Sequence, residues 1–426
     1  MSDVSGFREK LLDGAEVVWK PLGELAELVR GSGLPKSDFV ESGVPAIHYG
    51  QIYTYYGLET DSTISFVSEE TAQALKKVNP GDIVITNTSE NIEDVGKPVL
   101  YVGREQAVTG GHATIIKPSR HILGKYFVYF TETSSFFLEK RKLAKGAKVI
   151  DVSAKDLAKV EIPIPCPDDP EKSLAIQGEI VRILDKFTEL TAELTAELAQ
   201  RKKQYNHYRD QLLSFDEGEV EWKTLGDVTL KSYSGATPKA GNPKYYAQGT
   251  IPWLRTQEVI FSDIHETNVK ITQAAVDETA AKWVPENCVI IAISGATAGR
   301  SGINKIPLTT NQHCCCLEID PFQANYRYVF HWVSRNYETL RAMGRGARGD
   351  LNSGLIKGFR IPIPFADDPK KSLEEQARIV AILDKFDTLT NSITEGLPRE
   401  IELREKQYAF YRDQLLSFPR PDAEAA

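Results

Sequence analysis

The chain is poor in the residues that metal and redox sites need: five cysteines occur in 426 residues, and no two form a CxxC pair. Three of them, Cys314, Cys315 and Cys316, are consecutive. Neighbouring side chains on a strand point to opposite faces, so these three cannot close on one ion. They read as reduced, packed thiols, with His313 beside them a hydrogen-bonded histidine rather than a ligand. Long apolar runs are equally scarce. None approaches the ~18 residues of a membrane span, and the opening MSDVSGFREK lacks a secretory core, which predicts a cytoplasmic chain with no membrane partner. There is no GxGxxG fingerprint and no Asn/Asp-Pro-Pro-aromatic amino-methyltransferase signature, since NPKY at Asn242 lacks the second proline. SGATAGR, Ser294 to Arg300, is a poor Walker A loop because its glycines are too close and arginine replaces lysine. PDDPEK at Pro167 superficially suggests a nuclease, but its counterpart downstream reads ADDPKK. No catalytic constellation remains, so the chain reads as a non-enzyme holding no metal and no cofactor of its own.

A basic surplus is missing too. Fifty-one Lys and Arg against 59 Asp and Glu leave a net charge of −8, so the chain as a whole repels polyanions and nucleic-acid contacts must be local. With 41% hydrophobic and 26% charged residues it is a globular protein able to bury sizeable cores, and its length predicts two to four domains at roughly 100–200 residues each.

An internal repeat sets the architecture. IPIPCPDDPEKSLAIQGEIVRILDKF from Ile162 returns at Ile361 as IPIPFADDPKKSLEEQARIVAILDKF, and KQYNHYRDQLLSF from Lys203 returns at Lys406 as KQYAFYRDQLLSF. Each copy is preceded by a longer region opening alike, EVVWKPLGEL from Glu16 and EVEWKTLGDV from Glu219. FREKLLDGAEVVW from Phe7 resembles YRDQLLSFDEGEVEW from Tyr208, so the chain starts inside a repeat unit. Such a linear order predicts a ring-like arrangement with the termini together and the halves related by a pseudo-two-fold. The predicted boundaries are 1–15 for the N-terminal part of a split helical repeat, 16–172 for one variable domain, 173–216 for a central helix, 217–371 for a second variable domain, 372–418 for a C-terminal helix and 419–426 for a tail.

Helix follows from periodicity. Ile176, Ile180, Ile183, Phe187, Leu190 and Leu194 step by fours and threes, as do Leu198, Arg201, Tyr205, Tyr208, Leu212 and Phe215. This is a coiled-coil seam with one stutter, in the tandem TAELTAEL of Thr191 to Leu198. In the second copy Gly396 and Pro398 predict a break and a restart with proline in the first turn.

The variable regions alternate short β-rich runs, such as VPAIHYGQIY, GDIVITNT, IPWLRTQEVI and CVIIAIS, with turns and short helices, which predicts α+β domains. TGGHATII from Thr109 aligns with TNQHCCCL from Thr310, while most other side chains differ. A shared framework with divergent surfaces suits two modules reading different targets. Basic clusters stand at equivalent places, EKRKLAKGAK from Glu139 and RAMGRGARGD from Arg341, and supply the candidate phosphate contacts Lys145, Arg345 and Arg348. The small residues Ser294, Gly295 and Thr297 with Arg300 suit close approach to a phosphate. Candidate base readers are Tyr49, Gln51, Asn87, Asn91 and Lys148 in the first domain, and Arg255, Gln257, Asn311, Gln312 and Arg348 in the second.

With ILDKFTELTAELTAEL, RKKQYNHYRDQLLSF and ITEGLPREIELREKQY in place between the variable regions, essentially the whole chain resembles the specificity subunit of Type I restriction-modification systems. The resemblance implies two target-recognition domains separated by helices that form an antiparallel coiled coil. It implies that each domain grips one half of a bipartite double-stranded DNA site, with two methyltransferase subunits docked around the helices. S-adenosylmethionine, ATP and Mg would then sit on partner subunits, two restriction-motor subunits among them, in a phage-defence complex. The competing readings are a stand-alone DNA methyltransferase or nuclease, which the missing signatures oppose, and a scaffold that binds no DNA, which the matched basic loops oppose.

Overall fold

The computed structural model describes residues 4–216, 218, 220–344, 349–392 and 395–420. The chain divides into two compact units, Met1–Glu193 with Glu402–Ala426, and Leu194–Ile401.

In the first unit a five-stranded sheet runs in the order Ala26–Arg30, Ala113–Pro118, Ile83–Thr86, Pro98–Tyr101, Glu59–Thr60. The second unit repeats it as Thr229–Tyr233, Cys314–Ile319, Val289–Ala292, Ser301–Asn304, Asp263–Ile264. All neighbours are antiparallel except the last pair, which is parallel in both. A second sheet in each unit pairs Val44–Ile47 with Ala107–Thr109, or Ile251–Leu254 with Leu308–Thr310, again in parallel. The two α+β modules therefore share one topology despite their different side chains. The three cysteines alternate as a strand requires. Cys314 and Cys316 enter one core cluster and Cys315 a different one, and burial pushes the Cys314 thiol up to about 12.

Each module is closed by an antiparallel pair, Val17–Pro21 with Glu161–Pro165 and Val220–Thr224 with Arg360–Pro364. The IPIP prolines are tolerated because the pair has only two strands and each proline can face away from the ladder. Immediately after it, Cys166 and Phe365 both take left-handed backbone (φ +47° and +49°), turning the chain into a helix. The PDDP and ADDP motifs then act as helix starts. Asp169 Oδ1 accepts from the Lys172 N–H at 3.0 Å and Asp368 Oδ1 from the Lys371 N–H at 3.1 Å, with Pro170 and Pro369 as the first helical residues. The helices thus begin three residues before the positions 173 and 372 expected from the apolar periodicity.

The central helix spans Pro170–Leu212, about 65 Å at 1.5 Å per residue. The second copy is split into Pro369–Asn391 and Leu397–Leu416, with Gly396 at φ +84° before the restart and Pro398 in the first turn. Phe187 stacks on Tyr411 at 5.2 Å, and Tyr208 on Phe386 at 5.4 Å. Early residues of one helix thus meet late residues of the other, the signature of an antiparallel coil. Described residues near the two termini also meet inside the first unit. Arg8 donates to the Ser417 carbonyl, Trp19 Nε1 donates to the Pro419 carbonyl, and the Arg420 guanidinium lies 4.4 Å over the Trp19 ring.

The same joint fastens module to helix in both copies. Lys125 bridges Glu59 of the sheet edge and Asp185 of the helix, both at 2.9 Å, and Arg327 bridges Asp263 at 3.0 Å and Asp384 at 2.6 Å. Beside each bridge is a fully buried glutamine. Gln177 accepts from the Leu123 N–H (2.9 Å) and donates to the His121 carbonyl (3.0 Å), and Gln376 accepts from the Asn325 N–H (2.8 Å). Gln177→Ala leaves the part-buried Leu123 N–H and His121 carbonyl without their partner and should cost about 1–3 kcal/mol. Thermal unfolding of the intact chain, with hydrogen exchange reporting on Pro170–Leu212, checks it.

Candidate nucleic-acid interface

At one end of the first module, loops distant in sequence are tied together by backbone bonds. The Asn87 N–H donates to the His112 carbonyl (2.8 Å) and the Asn87 carbonyl accepts from Val152 (2.9 Å), while Thr88–Ser89 pairs with Ile150–Asp151. Tyr49 packs against His48 at 4.5 Å and His112 at 4.8 Å, and the Tyr53 hydroxyl donates to the Thr88 carbonyl. A short hairpin closed by mutual Lys145–Asp151 backbone bonds projects beside them, with Gly146 at φ +106° and with Lys148 and Val149 exposed. Arg30 Nε reaches the Gly111 carbonyl at 3.4 Å. Burial, then the Lys36 and His112 charges, hold the His48 imidazole below its ordinary value, which places several basic groups at this end of an acidic chain.

The second module builds the same end from other residues. The Ile293 N–H donates to the His313 carbonyl (2.9 Å), the Ile293 carbonyl accepts from Leu351 (2.8 Å), and Asn311 N–H bonds the Leu254 carbonyl (3.1 Å). Thr237 Oγ1 donates to Gln312 Oε1 at 2.7 Å, linking the loop after Thr229–Tyr233 to an exposed glutamine.

The structure brings most of the candidate residues to these ends but removes several from service as readers. Asn87 is buried: its amide donates to the Val152 carbonyl at 2.7 Å and accepts from Thr114 at 2.8 Å, so both ends are engaged inside the module. Gln51 caps its helix, accepting from the His48 N–H and donating to Ser65. Its counterpart Glu258 does the same for Arg255 and also holds the Arg255 Nε at 3.2 Å. Asn311 is buried and accepts from the His313 N–H (3.0 Å). Asn91 is exposed but exchanges bonds with Asp94.

The phosphate cradle expected over Ser294–Arg300 is not formed. The N–H groups of Ala298 and Arg300 serve its own turn, that of Gly299 returns to the Ala292 carbonyl (2.8 Å), and that of Gly295 meets the Asp350 carboxylate (3.3 Å), an anion already in place. Ser294 and Thr297 on this loop, and the Arg300 side chain, remain partly accessible. The basic run from Glu139 is also split up. Lys140 is buried and donates to the Glu93 carbonyl (3.0 Å), and burial lowers it to about 8. Lys145 pairs with Asp156, which it, Lys159 and Ser153 hold well below the usual carboxylate range. Lys148 forms no ion pair among the described residues, and Tyr49, Gln257 and Gln312 keep accessible surface. Arg345 and Arg348 lie outside the described residues. Sequence reasoning passed over Thr88, His48, His112, Arg30 and Thr237; the aligned histidines of TGGHATII and TNQHCCCL were the available signal. His313, expected to be hydrogen-bonded, is exposed and its ring makes no hydrogen bond among the described residues.

Comparison with known proteins completes the assignment. The family model for the Type I restriction modification DNA specificity domain matches residues 15–201 and again 217–403. The Escherichia coli Type I restriction enzyme EcoR124I/EcoR124II specificity subunit is 40% identical over 429 residues, spanning 99% of both chains. The EcoprrI specificity subunit of the same organism is 33% identical over 93% of each chain. In fold, the S subunit of the M. genitalium Type-I restriction-modification system matches with a TM-score of 0.58 at 14% identity, over 96% of this chain and 98% of that one. Two copies of one specificity domain, on one topology and joined by paired helices, make this chain a member of the Type I restriction-modification specificity subunits.

Proposed function

We propose that each module reads one half of a bipartite duplex DNA site, that the helices carry two methyltransferase subunits, and that two restriction-motor subunits complete the assembly in the cytoplasm. Methyl transfer from S-adenosylmethionine and ATP- and Mg-dependent cleavage then belong to the partners, and this chain supplies the address. One observation carries the reading: the same backbone latch, Asn87 to His112 and Ile293 to His313, holds the same loop end in both modules while the side chains it displays differ. Different displays on one frame suit two different half-sites. Bases are read by side chains at groove edges, whereas the phosphate contacts that set register are common to all sequences.

The test is a module exchange. Replacing residues 16–160 by the corresponding segment of a relative, with the repeated sequences at Trp19 and Ile162 as junctions, should replace the first half-site and keep the second and the gap. Methylome sequencing of cells carrying the hybrid reads all three, and a simultaneous change in both half-sites would refute independent modules. Methyl transfer to duplex DNA by the purified chain alone, with S-adenosylmethionine, would refute the division of labour.

A further inference from the structure

Position for position, the two loop ends differ: Tyr49 faces Thr256, Asn87 faces Ile293, and Gly111 faces Gln312. The histidine that follows is kept, His112 in one module and His313 in the other. Its peptide does the same work in both, accepting the N–H of residue 87 or 293 at 2.8 or 2.9 Å. That work needs only a carbonyl, which any residue provides, so it does not account for an imidazole. Nor does packing. Both residues are exposed, and their surroundings differ: the His112 ring lies 4.8 Å from Tyr49 with Nδ1 3.0 Å from Thr88 Oγ1, whereas the His313 ring makes no hydrogen bond among the described residues.

Resting on the reading that these ends face DNA, we propose that His112 and His313 contact the sugar-phosphate backbone, the feature that two different half-sites share. Readers of bases diverge between modules because their bases diverge, while a phosphate contact stays the same because its ligand does. The first module shows how the ring is prepared. Thr88 Oγ1, 3.0 Å from Nδ1, holds that edge of the ring and leaves Nε2 as the nitrogen for a phosphate oxygen; in the tautomer where the hydroxyl donates, Nε2 carries the proton. The carbonyl latch fixes the loop that carries the ring, so little freedom is lost on binding.

The test uses the intact complex of this chain with its methyltransferase subunits, titrated with a duplex bearing the methylated site and with a scrambled duplex. His112→Ala and His313→Ala should each weaken both duplexes by the same factor, about tenfold for a hydrogen bond to a charged group, with the methylated motif unchanged. In a series of cognate duplexes carrying one methylphosphonate each, one position should abolish the effect of His112→Ala. A changed base preference in the matching half-site would show that the ring reads a base and overturn the proposal. Unchanged affinity for both duplexes would overturn it as well. Gln312→Ala separates this failure from a failure of the DNA-facing reading. If it alters the second half-site while both histidine variants are silent, only the phosphate contact is wrong; if all three are silent, the loop ends do not face DNA.

Discussion

Inserting a third TAEL after Leu198 should lengthen the gap between the two half-sites by about one base pair and leave the bases of both unchanged. Four residues extend a helix by about 6 Å and turn it by roughly 40°, which keeps leucines near the seam as a second stutter. One base-pair step advances about 3.4 Å and turns roughly 35°, so the rotations agree and the excess translation is taken up by domain tilt or DNA stretch. The place of the repeat supports this outcome. The two compact units part at Glu193 and Leu194, inside TAELTAEL, and no residue from 185 to 204 is buried, so an insertion disturbs neither core. Thr191, Leu194 and Leu198 are half-buried and Leu190 is exposed, as expected of a segment that transmits distance more than it builds a core. Methylome sequencing of cells carrying the insertion decides: an unchanged gap, or altered half-site bases, counts against the ruler.

How much of this was legible depended on whether a residue's partner lies near it in sequence. The helices were, because a seam is written at three- and four-residue steps. Their bounds shifted at both ends: Asp169 and Asp368 cap them before the apolar pattern begins, and they stop at Leu212 and Leu416, short of 216 and 418. The cysteine run was legible for the same reason, a strand's alternation being local. The site was legible as a region and not as residues. Asn87 looked like a base reader because it is polar and follows a strand, yet its carbonyl partner belongs to Val152, 65 residues away. The repeat held the correction: the same position in the second copy is Ile293, and a place that accepts isoleucine in the same backbone latch faces inward. Lys140 follows the same rule, donating to the Glu93 carbonyl 47 residues away, whereas Arg255 is held by Glu258 only three residues on, a pairing the local sequence does contain.

Two aspartates one helical turn apart should change stability in opposite directions. Asp384 closes the second module's joint, its carboxylate 2.7 Å from His331 Nε2 and in an ion pair with Arg327 at 2.6 Å. Burial alone would raise its carboxyl, but these two partners outweigh burial and hold it below the ordinary value. Asp384→Asn removes the anion and leaves the largely buried Arg327 with Asp263 alone, at a cost of about 2–4 kcal/mol. Asp387 stands where the first copy has Thr188. Its burial raises the carboxyl, against a partial correction by the Asn391 amide at 2.9 Å, so the charged form is held at a loss in the fold. Asp387→Thr should therefore stabilise at neutral pH by on the order of 1 kcal/mol. The pH windows differ as well. A depressed carboxyl contributes stability that is present above the unfolded value of about 3.9 and lost as pH falls through the folded one, so the Asp384→Asn deficit should persist to about pH 4 and close only below it. A raised carboxyl works in reverse. The Asp387→Thr advantage should shrink as pH falls through the folded value toward about 3.9, before the Asp384 deficit begins to close. Hydrogen exchange within Pro369–Asn391 of the intact chain, measured across that range, resolves the two, and a destabilising Asp387→Thr would contradict the assignment of burial as the cause.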